Sequence, residues 1–258
     1  MIRPMTDDER QRAIEKKKAN TAIKQVLIDG DPFAYQAAAS CEEEESEAAN
    51  EKLDELLEKS IEAVLWSPKE EQYQVFLTGK SNFRYGIAVT HGYKANRKGA
   101  EKPKHLASVR DYMIKYWDAI VSEGEEADDL IGIWSTQRGK DAIVISVDKD
   151  MMQLPCDHYN PRNGVYKTVS DFDGIKFFYT QVLTGDSADN IKGIYGVGPK
   201  KATKILEDCK TEQDMYEECV RAYGGDEERV IENGRLLWLR REEEQIWQPP
   251  KFTDSDQD

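Results

Sequence analysis

The apolar residues of this chain fall into short runs separated by longer segments with helical periodicity. Residues 24–28, 74–77 and 142–147 are predicted to be strands, and the third is almost wholly apolar, as in strands buried inside a parallel sheet. Residues 42–65 and 105–121 place their apolar positions on one helical face. Strands that alternate with helices predict an α/β fold, with an open, mostly parallel sheet flanked by helices.

Weaker patterns complete the outline of the chain. Asp31-Pro32 has the chemistry of a helix start, Asn163-Gly164 predicts a tight hairpin turn, and the chain is predicted to be helical from Gly174 onward. We therefore predict four regions, which are an N-terminal helical arm at 1–23, an α/β domain at 24–184, a helical region at 185–241 and an acidic flexible tail at 242–258.

Composition limits the classes of protein that the chain can belong to. A length of 258 residues allows one substantial core. The four cysteines show no metal-binding or redox spacing and suggest reduced thiols, and three histidines argue against a zinc site. No apolar run has the length of a membrane span, and the N-terminus is too polar for a signal peptide. We expect a soluble cytoplasmic protein.

Eight carboxylates stand in four short clusters at the ends of apolar runs or beside glycine turns. They are Asp29, then Glu126, Asp128 and Asp129, then Asp148 and Asp150, and finally Asp186 and Asp189. Carboxylates gathered at one point repel each other unless hard cations hold them, and a donor set of oxygen alone suits Mg²⁺ or Mn²⁺. Pairs of such ions typically catalyse phosphodiester hydrolysis. On the helix, a spacing of three puts Glu126 and Asp129 on one face and turns Asp128 away.

A glycine-rich turn follows the last acidic cluster. Gly193, Gly196 and Gly198 precede Pro199, which fits the first position of a helix, and Lys200 and Lys201 stand in the first turn of that helix. Closely spaced glycines let backbone N–H groups approach a phosphate, and the two lysines add positive charge. The turn is therefore a candidate site for a nucleic-acid backbone.

The net charge of −14 is unusual for a protein that binds DNA, but its distribution is uneven. Between 80 and 115, two acids, Glu101 and Asp111, accompany nine basic residues. The nine are Lys80, Arg84, Lys94, Arg97, Lys98, Lys102, Lys104, Arg110 and Lys115. A basic segment in an acidic protein indicates a binding surface for an anion.

The order of these motifs resembles that of the 5′ nuclease superfamily, which includes flap endonucleases, the 5′-nuclease domain of bacterial DNA polymerase I and bacteriophage 5′–3′ exonucleases. From about Val26 to about Leu206 the chain carries IDGD, YKANR, EADD, SVDKD, GDSADN and GVGPKK in the family's order. The sequences around Asp29 and in TGKSNFR to YKANRK are most similar to exonucleases of T7-type phages. The resemblance implies a PIN-like fold, a helical arch at 79–115 and a helix–hairpin–helix region at 185–241.

The resemblance also implies roles for individual residues. Asp29, Glu126, Asp128 or Asp129, and Asp148 would hold the ion that activates water, and Asp150, Asp186 and Asp189 would hold a second, weaker ion. Lys94 and Arg97 would contact the scissile phosphate, and Tyr93 would stack on a nucleotide. Lys98, Gly196, Gly198, Lys200 and Lys201 would bind DNA, and the glycine turn could take a monovalent cation.

The implied substrates are DNA with 5′ ends, flaps or branches, with an RNA–DNA hybrid as a further possibility. We expect a monomer that, if encoded by a phage, acts in the host cytoplasm during DNA replication, recombination or repair.

Two positions depart from the family pattern. Gly79 stands where an Asp usually follows the second strand, and Gln36 stands where an Arg often follows the first Asp. Two alternatives stay open. A phosphatase of the haloacid dehalogenase type would use Asp29, Asp31 and Thr78, together with the acids of GDSAD. A catalytically weakened protein that only binds branched DNA is suggested by Gly79 and by the acidic net charge.

Overall fold

A six-stranded sheet forms the centre of the chain in a computed structural model that describes residues 6–97, 99 and 101–251. The strands are β1 (Gln25–Asp29), β2 (Tyr73–Leu77), β3 (Ile120–Val121), β4 (Ala142–Ile145), β5 (Asp157–Asn160) and β6 (Val165–Thr168). Their spatial order is β3-β2-β1-β4-β5-β6. The first five strands pair in parallel, and β6 pairs antiparallel with β5 across the predicted Asn163-Gly164 turn. The predicted α/β class with a mostly parallel sheet is confirmed.

Helices cover both faces of this sheet because the central strands are apolar on both sides. The helices are α1 (Asp7–Ile23), α2 (Gly30–Ser40), α3 (Ser46–Val64), α4 (Arg84–Ile87), α5 (Leu106–Tyr116), α6 (Ala127–Arg138), α7 (Asp171–Thr184), α8 (Pro199–Ile205), α9 (Glu212–Ala222) and α10 (Glu227–Leu237). Val26 and Ile28 pack against α2, α3 and α5, while Leu27 packs against α6 on the opposite face. Within the described residues, no helix is long and apolar enough to cross a membrane.

A second hydrophobic core joins the C-terminal helices. Residues of α7, α8, α9 and α10 pack with Trp238 and Trp247 in one cluster, next to a short ribbon formed by β7 (Gly185–Asp186) and β8 (Ile191–Lys192). The predicted boundary between 184 and 185 therefore separates α7 from the helices that it packs against. The apolar pattern of α7 did not indicate which core it would join.

The N-terminal arm packs against the sheet domain through polar contacts. Thr6 caps α1 with a capping box, and the side chain of Asn20 donates a hydrogen bond to the Val64 carbonyl over 2.9 Å. The ammonium of Lys16 lies 3.3 Å from the centroid of the Tyr166 ring. These contacts explain how a helix without an apolar face keeps its place.

The predicted helix at 105–121 is wrong beyond Tyr116. Asp118 adopts a positive φ of 46°, and the N–H of Ala119 donates back to the carbonyl of Met113 over 3.2 Å, which ends the helix. The chain then forms β3, whose Ile120 pairs with Phe76 of β2. An edge strand of two residues is too short to give a periodic signal in the sequence.

The prediction of a loose tail is wrong at Trp247. This side chain is buried, and its ring centroid lies 5.4 Å from that of Phe178 and 6.2 Å from that of Tyr216. A Cβ added at Gly234 would lie 2.5 Å from the Trp247 ring, so the glycine of α10 provides the space for the indole. The remainder of the predicted tail, 252–258, lies outside the described residues.

We predict that Trp247→Ala lowers the free energy of unfolding by about 3–5 kcal/mol, because it removes a buried aromatic side chain that the neighbouring helices cannot replace. Urea denaturation would measure this loss. Trp66→Ala is the matched control, since Trp66 is 43 % exposed, and it should cost about 1 kcal/mol or less. Equal losses in the two variants would contradict the anchoring role of Trp247.

Candidate active site

The carboxyl ends of β1, β2 and β4 open into a cavity of about 1240 Å³. Parallel strands bring their carboxyl ends to one edge of a sheet, which is where a ligand site is expected. Seven of the eight predicted acids line this cavity: Asp29, Glu126, Asp128, Asp148, Asp150, Asp186 and Asp189. Lys94, Arg97 and Tyr93 line it as well. Five separate parts of the chain therefore contribute charged side chains to one cavity.

Ser146 connects the acids at the ends of β1 and β4. Its hydroxyl donates to Asp29 Oδ2 over 2.8 Å and accepts the N–H of Asp148 over 2.9 Å. Asp148 Oδ1 in turn accepts the N–H of Asp150 over 2.8 Å. The serine of the SVDKD motif thus fixes three carboxylates relative to one another. It was not among the predicted site residues, although the motif itself contained the signal.

The start of α6 differs from the prediction made from helical spacing. Asp129 is fully buried and accepts hydrogen bonds from Nη1 and Nη2 of Arg84, over 2.6 and 2.8 Å. Asp128 instead faces the cavity. Glu126 is the N-cap of α6, with an extended backbone, so the geometry of the helical face does not apply to its side chain. Asp128, rather than Asp129, is the partner of Glu126 in the cavity.

The pKa values of these two aspartates move in opposite directions. Burial and the negative charge of Asp129 raise the pKa of Asp128 well above its usual range. Burial acts in the same direction on Asp129, but the charge and hydrogen bonds of Arg84 lower the pKa of that carboxyl. Asp129 is therefore a permanently ionised partner of Arg84, and Asp128 is a carboxylate without compensation of that kind.

Two basic side chains of the YKANR motif pair with the acids of the cavity. Lys94 forms an ion pair with Glu126, and its ammonium lies 3.7 Å from Asp189. Arg97 donates to Asp189 Oδ1 over 2.6 Å. Lys94 has a positive φ of 52°, and its N–H donates to the Asp189 carbonyl over 2.9 Å, which holds this turn against the acidic loop. The predicted catalytic pair therefore lies at the predicted metal ligands.

The resemblance implied that Tyr93 stacks on a nucleotide. In the structure, Tyr93 does not present its ring for stacking. The side chain is only 4 % exposed, and its hydroxyl lies 2.6 Å from Glu126 Oε2 and 2.8 Å from Asp189 Oδ2. Tyr85, which packs edge-on against it at 5.6 Å between centroids, is 59 % exposed and lines the same cavity. Tyr85 and Tyr35, which also lines the cavity and is 51 % exposed, are aromatic side chains that a nucleotide could reach, and no motif in the sequence indicated them.

A third basic residue, Lys149, lies between the acids expected to hold the second ion. Its ammonium is 3.2 Å from Asp150 and 3.4 Å from Asp186. Asp150 and Asp186 thus share a positive neighbour that comes from the chain itself. The sequence placed Lys149 between two predicted ligands but gave no indication of this contact.

The residues of the cavity fit divalent cations by their chemistry. The donors are carboxylate oxygens, which Mg²⁺ and Mn²⁺ prefer. Burial and the charges of Asp31 and Asp148 raise the pKa of Asp29 to about 7, and burial and Asp148 raise that of Asp150 to about 7. This excess of negative charge is what bound cations would relieve. Within the described residues, no group of three or more acids, histidines or cysteines already converges as a metal-ligand set.

The glycine turn lies outside the lining of this cavity. Gly196 has a φ of 75°, Gly198 caps α8 with open space around it, and Lys200 is exposed. Lys201 donates to the Gly196 carbonyl over 2.8 Å, so its ammonium closes the turn. The predicted DNA-binding residue Lys98 lies outside the described residues.

The two departures from the family pattern have different structural settings. A Cβ at Gly79 would lie 2.0 Å from the Ser122 carbonyl oxygen, and the N–H of Gly79 donates to the Ser122 hydroxyl over 3.0 Å. The close approach of the Ser122 backbone therefore explains why residue 79 is a glycine. Gln36 lines a neighbouring cavity of about 720 Å³ and not the acidic one.

Asp31 is an acid of the cavity that the sequence suggested only as a helix start and as part of the phosphatase alternative. Its side chain does not cap α2, which begins at Gly30; instead Oδ2 accepts the N–H of Thr78 over 2.9 Å, and Oδ1 pairs with Arg110. Both Asp31 and Arg110 line the cavity. Asp31 of α2 is thus a carboxylate near the end of β2, where Gly79 stands in place of the usual Asp.

We predict that Gly79→Asp gives no gain in metal binding and lowers the free energy of unfolding by about 1–3 kcal/mol, as Gly79→Ala should also do, because any Cβ collides with the Ser122 backbone. Gly86→Ala in α4 has open space and serves as the control. Urea denaturation and a Mg²⁺ titration of all three variants would decide. Tighter Mg²⁺ binding by Gly79→Asp alone would contradict this explanation.

The pKa of Asp29 gives a prediction for pH. Because the folded-state pKa is near 7 and the usual value is 3.8, the folded chain binds more protons than the unfolded chain between these values. The stabilising contribution of this proton is complete below about pH 4 and is lost as the pH rises to about 7. In a chelator, wild-type stability should fall from pH 5 to pH 7 more steeply than that of Asp29→Asn. Parallel curves of urea midpoint against pH would be inconsistent with a raised pKa.

Comparison with known proteins agrees with this geometry. Residues 24–180 match the family model described as the 5′-3′ exonuclease, N-terminal resolvase-like domain. Among curated relatives, DNA polymerase I of Rhizobium leguminosarum is 35 % identical over 135 residues, which are 45 % of this chain and 13 % of that protein. Flap endonuclease Xni of Shewanella piezotolerans is 27 % identical over 164 residues, which are 58 % of this chain and 64 % of that one. The chain thus spans less than two thirds of either relative.

Solved structures agree on the fold. T5 5′-exonuclease with bound zinc ions matches with a TM-score of 0.61 and 19 % identity, covering 83 % of this chain and 89 % of that one. Bacteriophage T5 D15 flap endonuclease, in a complex with DNA and metal ions, matches with a TM-score of 0.60 and 18 % identity, covering 83 % and 88 %. The acids at the carboxyl edge of the sheet and the match over 24–180 lead to one assignment: the chain belongs to the 5′–3′ exonuclease family that shares the N-terminal resolvase-like domain.

Proposed function

We propose that this protein is a divalent-metal-dependent nuclease that hydrolyses DNA phosphodiester bonds at 5′ ends and 5′ flaps. The observation that carries the proposal is the single cavity in which seven carboxylates meet Lys94 and Arg97. Acids alone would bind cations, and basic residues alone would bind phosphate. Their combination at the carboxyl edge of the sheet suits a phosphodiester held between metal ions and basic side chains.

We assign the acids to two groups, as the resemblance implies. Asp29, Glu126, Asp128 and Asp148 would hold one ion, and Asp150, Asp186 and Asp189 would hold the other, with all seven lining the same cavity. With two Mg²⁺ or Mn²⁺ ions bound, such a site supplies an activated water and neutralises the charge of the leaving oxygen. Ser146 supports this arrangement because it fixes Asp29 and Asp148 through one hydroxyl.

Lys94 and Arg97 have two roles in this proposal. In the free protein they compensate Glu126 and Asp189, which would otherwise repel each other. Once bound cations take over that task, the two side chains can turn to the phosphate. Lys94 then stabilises the charge that develops on the phosphate in the transition state, and Arg97, which is half exposed, orients the strand.

DNA is the proposed substrate because a T5 flap endonuclease of the same fold was solved with DNA and metal ions. We infer a monomeric enzyme, and an RNA–DNA hybrid serves as the competing substrate to be tested. The phosphatase alternative gives no role to Glu126, Lys94 or the glycine turn, and Asp31 is held by Thr78 and Arg110. The alternative of DNA binding without cleavage remains an outcome of the experiment below.

The decisive experiment uses a 5′-labelled flap, a blunt duplex and an RNA–DNA hybrid, each with Mg²⁺ and with chelator. We expect cleavage in Mg²⁺ alone and a loss of at least about 100-fold in Asp148→Asn, since one ligand of a two-ion site contributes several kcal/mol of charge stabilisation. Asp141→Asn, an exposed acid outside the cavity, is the control. Near-normal cleavage by Asp148→Asn would overturn the assignment. Tight binding of the flap by wild type without any cleavage would establish the weakened DNA-binding alternative.

A second prediction separates chemistry from binding. Lys94→Ala should lower the single-turnover rate at saturating enzyme by about 100-fold or more, with a small effect on affinity. Lys200→Ala should leave that rate unchanged, weaken binding and reduce the salt dependence by about one phosphate contact. Lys204→Ala, exposed on the same helix, is the control for charge. A rate loss of equal size in Lys94→Ala and Lys200→Ala would refute this division of roles.

A further inference from the structure

Asp31 and Arg110 form an ion pair at the wall of the cavity, and the proposed roles of the other residues do not account for it. The guanidinium of Arg110 donates to Asp31 Oδ1 and, over 2.5 Å, to the Thr78 carbonyl. Asp31 Oδ2 accepts the Thr78 N–H over 2.9 Å. Arg110 reaches the cavity from α5, whereas Lys94 and Arg97 reach it from the turn before α5. The cavity therefore has a basic group on α5, in addition to those on the turn before α5 and at Lys149.

The pair is exposed enough to exchange partners. The side chains of Arg110 and Asp31 are 26 % and 33 % exposed, in contrast to 2 % and 0 % for the buried pair of Arg84 and Asp129. An ion pair that water can reach contributes little net stability, so a phosphate can compete for the guanidinium. The planar fork of an arginine also matches two phosphate oxygens as well as it matches a carboxylate.

The exchange also requires that a positive charge compensates Asp31 once Arg110 leaves it. Asp31 is two residues from Asp29 in the chain, and both carboxylates line the cavity. Cations bound at Asp29 would compensate Asp31 as well, and Arg110 would no longer be needed there. The N–H of Thr78 would still hold Asp31 in place.

We propose that Arg110 is a third phosphate-contacting residue of the cavity, stored on Asp31 until metal ions and a DNA strand enter. This inference rests on the proposed function, because it assumes that the cavity receives a phosphodiester backbone. Asp31 is then a positioning residue. It keeps the guanidinium at the cavity wall in the free protein and releases it when cations bind.

The test measures binding and not cleavage. A fluorescent 5′-flap DNA is titrated with protein at several KCl concentrations in Ca²⁺, a hard divalent cation that oxygen ligands accept, and again in chelator. Arg110→Gln should weaken binding in Ca²⁺ by roughly ten-fold and reduce the slope of log Kd against log salt by about 0.9, which corresponds to one lost phosphate contact. In chelator, where Arg110 stays on Asp31, the same substitution should have a much smaller effect.

Three further variants distinguish this role from a structural one. Arg110→Lys should keep the salt slope, because it keeps the charge. Asp31→Asn should keep the slope and bind DNA at least as tightly as wild type. Lys115→Gln, which removes an exposed charge from the same helix outside the cavity, should change Kd by no more than about two-fold.

The proposal is overturned if Arg110→Gln leaves the salt slope at the wild-type value, or if Asp31→Asn weakens binding as much as Arg110→Gln does. The second result, with equal drops in melting temperature, would make the pair a clamp between α5 and β2. Should Arg110→Gln fail to fold, Asp31→Asn in chelator decides: release of Arg110 should tighten DNA binding above the wild-type affinity, and an unchanged or weaker affinity would overturn the proposal. Cleavage of the flap by wild type in Mg²⁺ is scored separately, so a failure of the nuclease assignment is not confused with a failure of this one.

Discussion

The buried pair of Arg84 and Asp129 is the interaction on which the rest of the structure depends. Arg84 donates two hydrogen bonds to Asp129 at the start of α6, and it also donates to the carbonyls of Leu236 and Trp238 at the end of α10, each over 2.8 Å. One guanidinium thus joins the loop after β2, the sheet domain and the C-terminal core. Removing one partner of such a pair costs about 3–5 kcal/mol, because the other charge is left buried. Asp129 also accepts the N–H of Glu126, so the pair that joins the two cores also orients an acid of the cavity.

A second constraint is the repulsion among the acids that this architecture brings together. In the described residues the repulsion is balanced locally, since Lys94 pairs with Glu126, Arg97 with Asp189, and Lys149 lies between Asp150 and Asp186. Lys94 and Arg97, from the basic segment between 80 and 115, therefore act as internal counter-ions in the free protein. In the proposed function they would also contact phosphate. Their positive charges are engaged by carboxylates until something else neutralises those acids.

Most of the fold could be predicted from the sequence, because buried parallel strands and amphipathic helices have strong periodic signals. The seven acids of the cavity could also be predicted, since strand ends and glycine turns are local features. Three kinds of contact could not. Asp129 faces inward because Glu126 is an N-cap, Tyr93 is buried because its hydroxyl meets two carboxylates, and Gly79 is needed because Ser122 approaches its backbone. Each depends on which distant element lies opposite, and one sequence does not record this.

The same reasoning changes the meaning of the net charge of −14. In a protein with a permanently basic surface, DNA affinity follows the number of lysines and arginines and needs no other ion. Here basic side chains at the cavity are paired with carboxylates, as Lys94 is with Glu126 and Lys149 with Asp150. In the proposed nuclease, divalent cations would therefore do more than take part in the chemistry. By neutralising the acids they would free the basic residues, so that DNA binding and metal binding would be one coupled equilibrium, with each ligand raising the affinity for the other.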